Sequence, residues 1–255
     1  MGDDGPIGRM IQRGAEARWR RAARRADTAE PEALRRAKAP ARRLRDTLDR
    51  FLGAAERRIA FAEAGTPRVD APGTDWVWRP EAWGGPLPVP GRVAPEPGTR
   101  IAEGLALFHD SHLSEIVTRQ TCTGSAGPGA APCALTIEVF GFDGGYLSLA
   151  LDLPGAAAQG LQRRHILRAE IDLGLERPLE VFARLNIRHG PNTEKIVREV
   201  PVQEGAAVVE FDLAYSRLNE KRVERLWLDL IFERPEMNRI ALGDLVLSRR
   251  PRAEL

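Results

Sequence analysis

Between residues 226 and 249 the chain alternates between apolar and polar positions, through Leu226, Leu228, Leu230 and Phe232. It then turns at Pro235-Glu236-Met237-Asn238 and enters a further strand-like run over 239–248. A period of two over that length is the pattern of a strand with one buried face. It commits the C-terminal third to pleated sheet that is greasy on one side only.

The same reading extends upstream. Strands are predicted over 105–109, 114–121, 135–142, 146–153, 165–173, 179–189, 195–202 and 207–213, followed by 226–232 and 239–248. In the clearest, Leu147, Leu149, Leu151 and Leu153 oppose Tyr146, Ser148 and Asp152. In another, Val181, Ala183, Leu185 and Ile187 oppose Glu180, Arg184, Asn186 and Arg188. Asp143-Gly144-Gly145 reads as a tight hairpin turn, and His189-Gly190-Pro191-Asn192 as a second reversal. Many short strands punctuated by turns predict a mainly β chain, a two-sheet antiparallel, jelly-roll-like sandwich.

The N-terminal quarter reads differently. A helical pattern runs from Met10 to Ala26, Pro31 suits the first turn of a short helix over 32–39, and Pro40 breaks it or begins the next. Leu44, Leu48, Leu52 (with Phe51), Ala55 and Ile59 then mark one face of a helix over 41–64, stopped by Gly65. Residues 1–64 hold 16 Lys and Arg against 10 Asp and Glu, and the remainder 22 against 26, within a net charge of +2. The predicted organisation is therefore a basic helical arm over 1–64, a Pro/Trp-rich extended strap over 65–104, and a sandwich over 105–255. A basic arm on a mildly acidic body suits an acidic partner.

Arg9, Arg13, Arg18, Arg20 and Arg21 precede no apolar h-region, so no secretory signal and a cytoplasmic location are expected. No apolar run is long enough for a transmembrane helix. The basic helix over 9–25, with Trp19, could contact an anionic membrane surface, but nucleic acid is the weaker expectation because the arginines follow the composition of the whole chain. Cys122 and Cys133 flank a Gly/Pro/Ala loop over 124–132. Without an export signal, two reduced thiols are expected.

Catalytic and metal motifs are not found. His109, Asp110 and His112 match no zinc spacing, and there is no phosphate-binding loop, dinucleotide fingerprint or nucleophile elbow. No catalytic residue, metal or cofactor is expected. The best site candidates are Trp76, Trp78 and Trp83, whose indoles suit stacking on sugars, bases or cations. A polar strand face carrying Arg184, Asn186 and Arg188 could supply hydrogen bonds. Structural roles, tryptophans as cover and the polar face as solvated sheet, are the alternative.

The stretches FARLNIRHGPNTEKIVREVP, EFDLAYSRLNEKRVERLWLDLIFERPEMNRIALGDLVLSRRPRAEL, GTDWVWRPEAWGGPLPVPG and LFHDSHLSEI resemble an uncharacterised family of alphaproteobacterial proteins, mostly from Rhodobacter-type bacteria. That resemblance covers nearly the whole chain and brings no function. The ending LDLIFERPEMNRIALGDLVLSRR is also similar to the last two strands of galactose-binding-like jelly rolls, including carbohydrate-binding modules. The leading expectation is a non-catalytic binding module for a glycan or envelope polysaccharide. The alternatives are an assembly protein that docks on a protein partner or larger particle through its basic helices, and an unrecognised enzyme.

Overall fold

A computed structural model describes residues 6–67, 69, 71–123, 129–202 and 206–252. The chain divides into two compact units, residues 1–52 and 53–255. The first contains helix α1 (Pro6–Arg24) and most of α2 (Pro31–Ala64). Both open on a proline, whose missing N–H is not needed in a first helical turn. The expected break at Pro40 is absent, because α2 runs through it as one helix of 34 residues. The apolar stripe predicted for this helix is present, and Leu44, Leu48 and Phe51 on it are exposed.

The second unit is the sandwich. Its strands are β1 (Trp76–Trp78), β2 (Gly91–Val93), β3 (Thr99–Ala102), β4 (Leu105–His109), β5 (Ile116–Cys122), β6 (Cys133–Val139) and β7 (Tyr146–Asp152). They continue as β8 (His165–Leu175), β9 (Val181–His189), β10 (Asn192–Glu199), β11 (Ala206–Asp212), β12 (Val223–Glu233) and β13 (Asn238–Pro251). Two single-turn helices, α3 (Glu81–Gly84) and α4 (Gly155–Ala158), interrupt them. One sheet has the order β11-β8-β13-β6-β5-β2, with β1 added alongside β13, and the other the order β10-β9-β12-β7-β4-β3. Each strand pair is antiparallel. The ten strands read from the sequence are all present, and β1 to β3 are added from the Pro/Trp-rich stretch.

The period-two pattern closes the core as expected. Leu149, Leu185 and Leu228 are enclosed between the sheets. Each such side chain contributes about 1.5–3 kcal/mol of burial. The His189–Asn192 reversal is a true hairpin between β9 and β10, with Gly190 at φ +59°. The Asp143-Gly144-Gly145 turn is not a hairpin, because β6 and β7 lie in different sheets. It is a crossover tied down from outside: the Ser111 hydroxyl donates to Asp143 Oδ1 at 2.6 Å, and the His112 and Leu113 amides donate to the same oxygen. Gly144 is needed there, since a Cβ would lie 2.7 Å from the Ser111 backbone nitrogen.

The stretch between β1 and β2 is ordered by buried polar contacts. Gln120 on β5 donates to the Ala82 and Gly85 carbonyls and accepts from the Leu87 amide. Arg79, itself buried, forms a two-pronged pair with Asp244 at 2.8 and 2.7 Å and donates to the Gly129 carbonyl. A bidentate guanidinium–carboxylate pair fixes orientation as well as distance.

The expectation of free thiols is corrected: Cys122 and Cys133 form a disulfide. They are direct cross-strand partners on β5 and β6, the last pair before the loop. Antiparallel register brings them into bonding range whatever the sequence says of compartment. Residues 124–128 of that loop lie outside the described residues.

Candidate functional site

Alternation that buries one face of β12, β9, β7 and β4 also dictates what faces outward. Pairing registers then lay those outward residues in rows across the six-stranded sheet. One row runs Arg100, Ala106, Ala150, Asp229, Arg184, Val197 over β3, β4, β7, β12, β9 and β10. Two positions along the strands, on one side, lie Asp152, Trp227, Asn186 and Lys195. On the other side lie Phe108, Ser148, Ile231 and Phe182. Alanines in the middle of a solvent-facing row, between rows carrying Trp227 and Phe108, leave a trough. Its volume is about 840 Å³. Strand spacing makes the row from Arg100 to Arg184 about 19 Å long, and the flanking rows stand about 13 Å apart.

Asp229 is the fixed point of the trough, with 4% of its surface exposed. Its Oδ2 accepts from Arg184 Nε at 2.9 Å and from Asn186 Nδ2 at 2.8 Å, and Arg184 reaches it again through a second nitrogen. Asn186, 1% exposed, also donates to the Arg184 and Trp227 carbonyls. A buried carboxylate held by a guanidinium and an amide cannot reorient without leaving those donors unsatisfied. The neighbouring wall is braced in the same way. Arg225 pairs with Asp152 and lies over the Trp227 ring, 5.2 Å from its centroid.

Tyr146, at the start of β7, also lines the trough. Its amide donates to Asp110 Oδ1 at 3.1 Å. Burial pushes the Asp110 carboxyl up, but amide donors from Tyr146 and Gly145 outweigh it and leave it below its ordinary value. The Ser111 hydroxyl, helped by the His112 and Leu113 amides, holds Asp143 well below the usual carboxylate range. Both carboxylates are thus anchors for the loops beside the trough.

The structure separates the residues that the sequence put forward together. Arg184 lines the trough, Asn186 lies beneath it, and Arg188 is exposed beyond it, paired with Glu224 at 3.2 Å. Trp76 and Trp78 belong to the opposite sheet, stacked on each other with ring centroids 6.4 Å apart and packed against the core. Trp83 is a correction. It is 0% exposed, and its Nε1 donates to the Leu242 carbonyl at 3.0 Å. An enclosed indole has no face left for a ligand, and Trp83 is a core residue.

The histidines are placed by packing. His109 is buried, its Nε2 2.9 Å from the Pro95 carbonyl, while His112 is exposed beside Asp143. His165 and His189, read as core-edge or solvated, are both buried. Among the described residues no group of three or more His, Cys, Asp or Glu is arranged to hold a metal ion.

Sequence reading missed Trp227, Phe108, Tyr146, Arg225 and Arg100, and gave Asp229 no weight. A signal was present: outward positions of the strongest alternating strands combine an aromatic, a carboxylate and unusually small side chains, where a solvated face carries long polar ones.

Fold and site together define a jelly-roll-like sandwich with a structured groove on the outer face of one sheet. The chain belongs to a family of unknown function, DUF6478, whose model matches residues 2–255. No curated protein matches it. Among solved structures, it is similar to a cyclase from Fischerella sp. TAU in complex with 4-(1H-indol-3-yl)butan-2-one, at 12% identity and a TM-score of 0.40 over 75% of this chain and 100% of that one. A family 11 carbohydrate-binding module from Clostridium thermocellum, in complex with a β-1,3-1,4-mixed-linked tetrasaccharide, gives 8% identity and a TM-score of 0.37 over 66% and 99%. The enzymatically active domain of bacteriophage CBA120 tailspike protein 4 gives 6% and 0.39 over 56% of this chain, which spans 19% of the tailspike chain. These proteins differ in what they do, and likeness of this degree assigns none of their activities to the chain. Among the described residues no helix is long and apolar enough to cross a membrane.

Proposed function

We propose that this chain is a non-catalytic binding module that holds a glycan in the trough of the six-stranded sheet. The observation that carries this reading is the combination of a small-residue floor at Ala106 and Ala150 with the Trp227 ring and the immobilised Asp229–Arg184–Asn186 group beside it. A sugar offers an apolar C–H face to an aromatic ring, and hydroxyls that need both donors and acceptors at fixed positions. The trough supplies both, already ordered, which lowers the entropic cost of binding.

A hydrolytic role is not favoured by the same geometry. Asp229 and Asp152 are the two carboxylates of the trough, and each is bonded to an arginine. Neither is free to serve as the proton donor that glycosidic cleavage requires.

The test is a glycan array probed with the full chain, followed by titration calorimetry on the best ligands. Trp227→Ala is expected to weaken binding at least tenfold, and Trp76→Ala with Trp78→Ala to leave it within about twofold. Loss of binding from the Trp76/Trp78 pair and not from Trp227 would move the site to the other sheet. Release of shortened sugars by the wild-type chain would make it an enzyme.

A second reading, an assembly protein docking through its helices, is favoured by the exposed stripe of Leu44, Leu48 and Phe51 on α2. Exposed apolar stripes on helices commonly meet a partner.

A further inference from the structure

We infer that the glycan taken by this trough is acidic, and that Arg100 reads its carboxylate. The inference rests on the trough being a glycan site and adds the ligand's charge and the residue that recognises it. Three guanidinium groups line the trough: Arg100, Arg184 and Arg225. Arg184 is neutralised by Asp229, and Arg225 by Asp152. No carboxylate among the described residues pairs with Arg100, which is exposed on β3 at the end of the central row. The trough therefore holds three positive charges against two negative ones, and the uncompensated one stands on the edge strand β3.

The placement favours a chain rather than a single sugar. Arg100 stands three strand spacings from Trp227, about 14 Å across the sheet. An oligosaccharide that stacks on Trp227 and follows the alanine floor reaches β3 with its next residues. A guanidinium there meets a carboxylate in the two-pronged geometry that an ammonium cannot reproduce. Between β12 and β3 the central row presents only Ala150 and Ala106, and the Arg225 guanidinium beside Trp227 is already paired with Asp152, which leaves Arg100 to meet the acid.

The test pairs each acidic glycan with its own neutral form. Oligomers of galacturonan, alginate and hyaluronan are titrated into the 255-residue chain beside their carboxyl-reduced counterparts, at low and at physiological salt. The expected result is at least one acidic oligomer bound tenfold or more tightly than its reduced form, with the ratio falling as salt rises. Arg100→Gln is expected to bring that ratio to within about threefold of unity, and Arg100→Lys to give an intermediate value. Far-UV circular dichroism checks that both variants remain folded. If reduced forms bind as well as acidic ones, the inference fails, the glycan reading survives, and Arg100 is only a charge guarding an edge strand. If neither acidic nor reduced oligomers bind and the array is blank, the glycan reading itself fails.

Discussion

Trp83 is enclosed beneath β13, and its indole N–H satisfies the Leu242 carbonyl. Trp83→Phe keeps most of the volume and removes the hydrogen bond to that carbonyl, so a loss of about 0.5–1.5 kcal/mol is expected in denaturant unfolding. Trp83→Ala is expected to cost about 3–5 kcal/mol through the cavity it leaves. Folded Trp83→Phe should bind ligand as the wild type does, because the residue is remote from the trough. His165 gives a pH prediction. Burial, and then the Arg249 guanidinium, hold its pKa below the ordinary 6.5. The unfolded chain takes up that proton first as pH falls through 6.5, so stability is full above this value and declines below it, down to the folded-state pKa. His165→Gln is expected to flatten that decline in urea melts between pH 7 and pH 5. Residue type was legible at both positions and role was not. Nothing in the sequence around Trp83 or Trp227 says that one ring is core and the other is wall.

At the scale of elements, periodicity carried far. It located ten strands and the apolar stripe of α2, because each side-chain period is a local property of the backbone. Pro40 shows where local rules fall short. A proline inside a helix costs about 3 kcal/mol and removes a hydrogen bond, yet α2 continues through it, with good helix formers on both sides. Pro40→Ala is therefore expected to raise helicity at 222 nm and the melting temperature, and unchanged helicity would indicate two helices in solution. The Asp143–Gly145 turn failed as a hairpin for a different reason. Its residues suit a reversal of either kind, and whether the next strand stays in the sheet or crosses to the other is set by the Asp143 contacts with Ser111 and the following amides.

Taken together, the chain divides into two units. The unit of residues 53–255 contains every residue of the proposed trough. Expressed alone, it is expected to melt cooperatively and to bind glycan with an affinity within about twofold of the full chain. A partner that is lost on removing residues 1–52, with ligand binding retained, would assign the helices to assembly. The sandwich class, the buried faces and the helical N-terminus were legible along the chain, since they follow from side-chain periods. Which outward residues become neighbours was not, because it depends on how the strands pair in space. Ala106, Ala150, Asp229 and Arg184 come from four strands far apart in sequence, and strand order and register, not spacing along the chain, set them side by side.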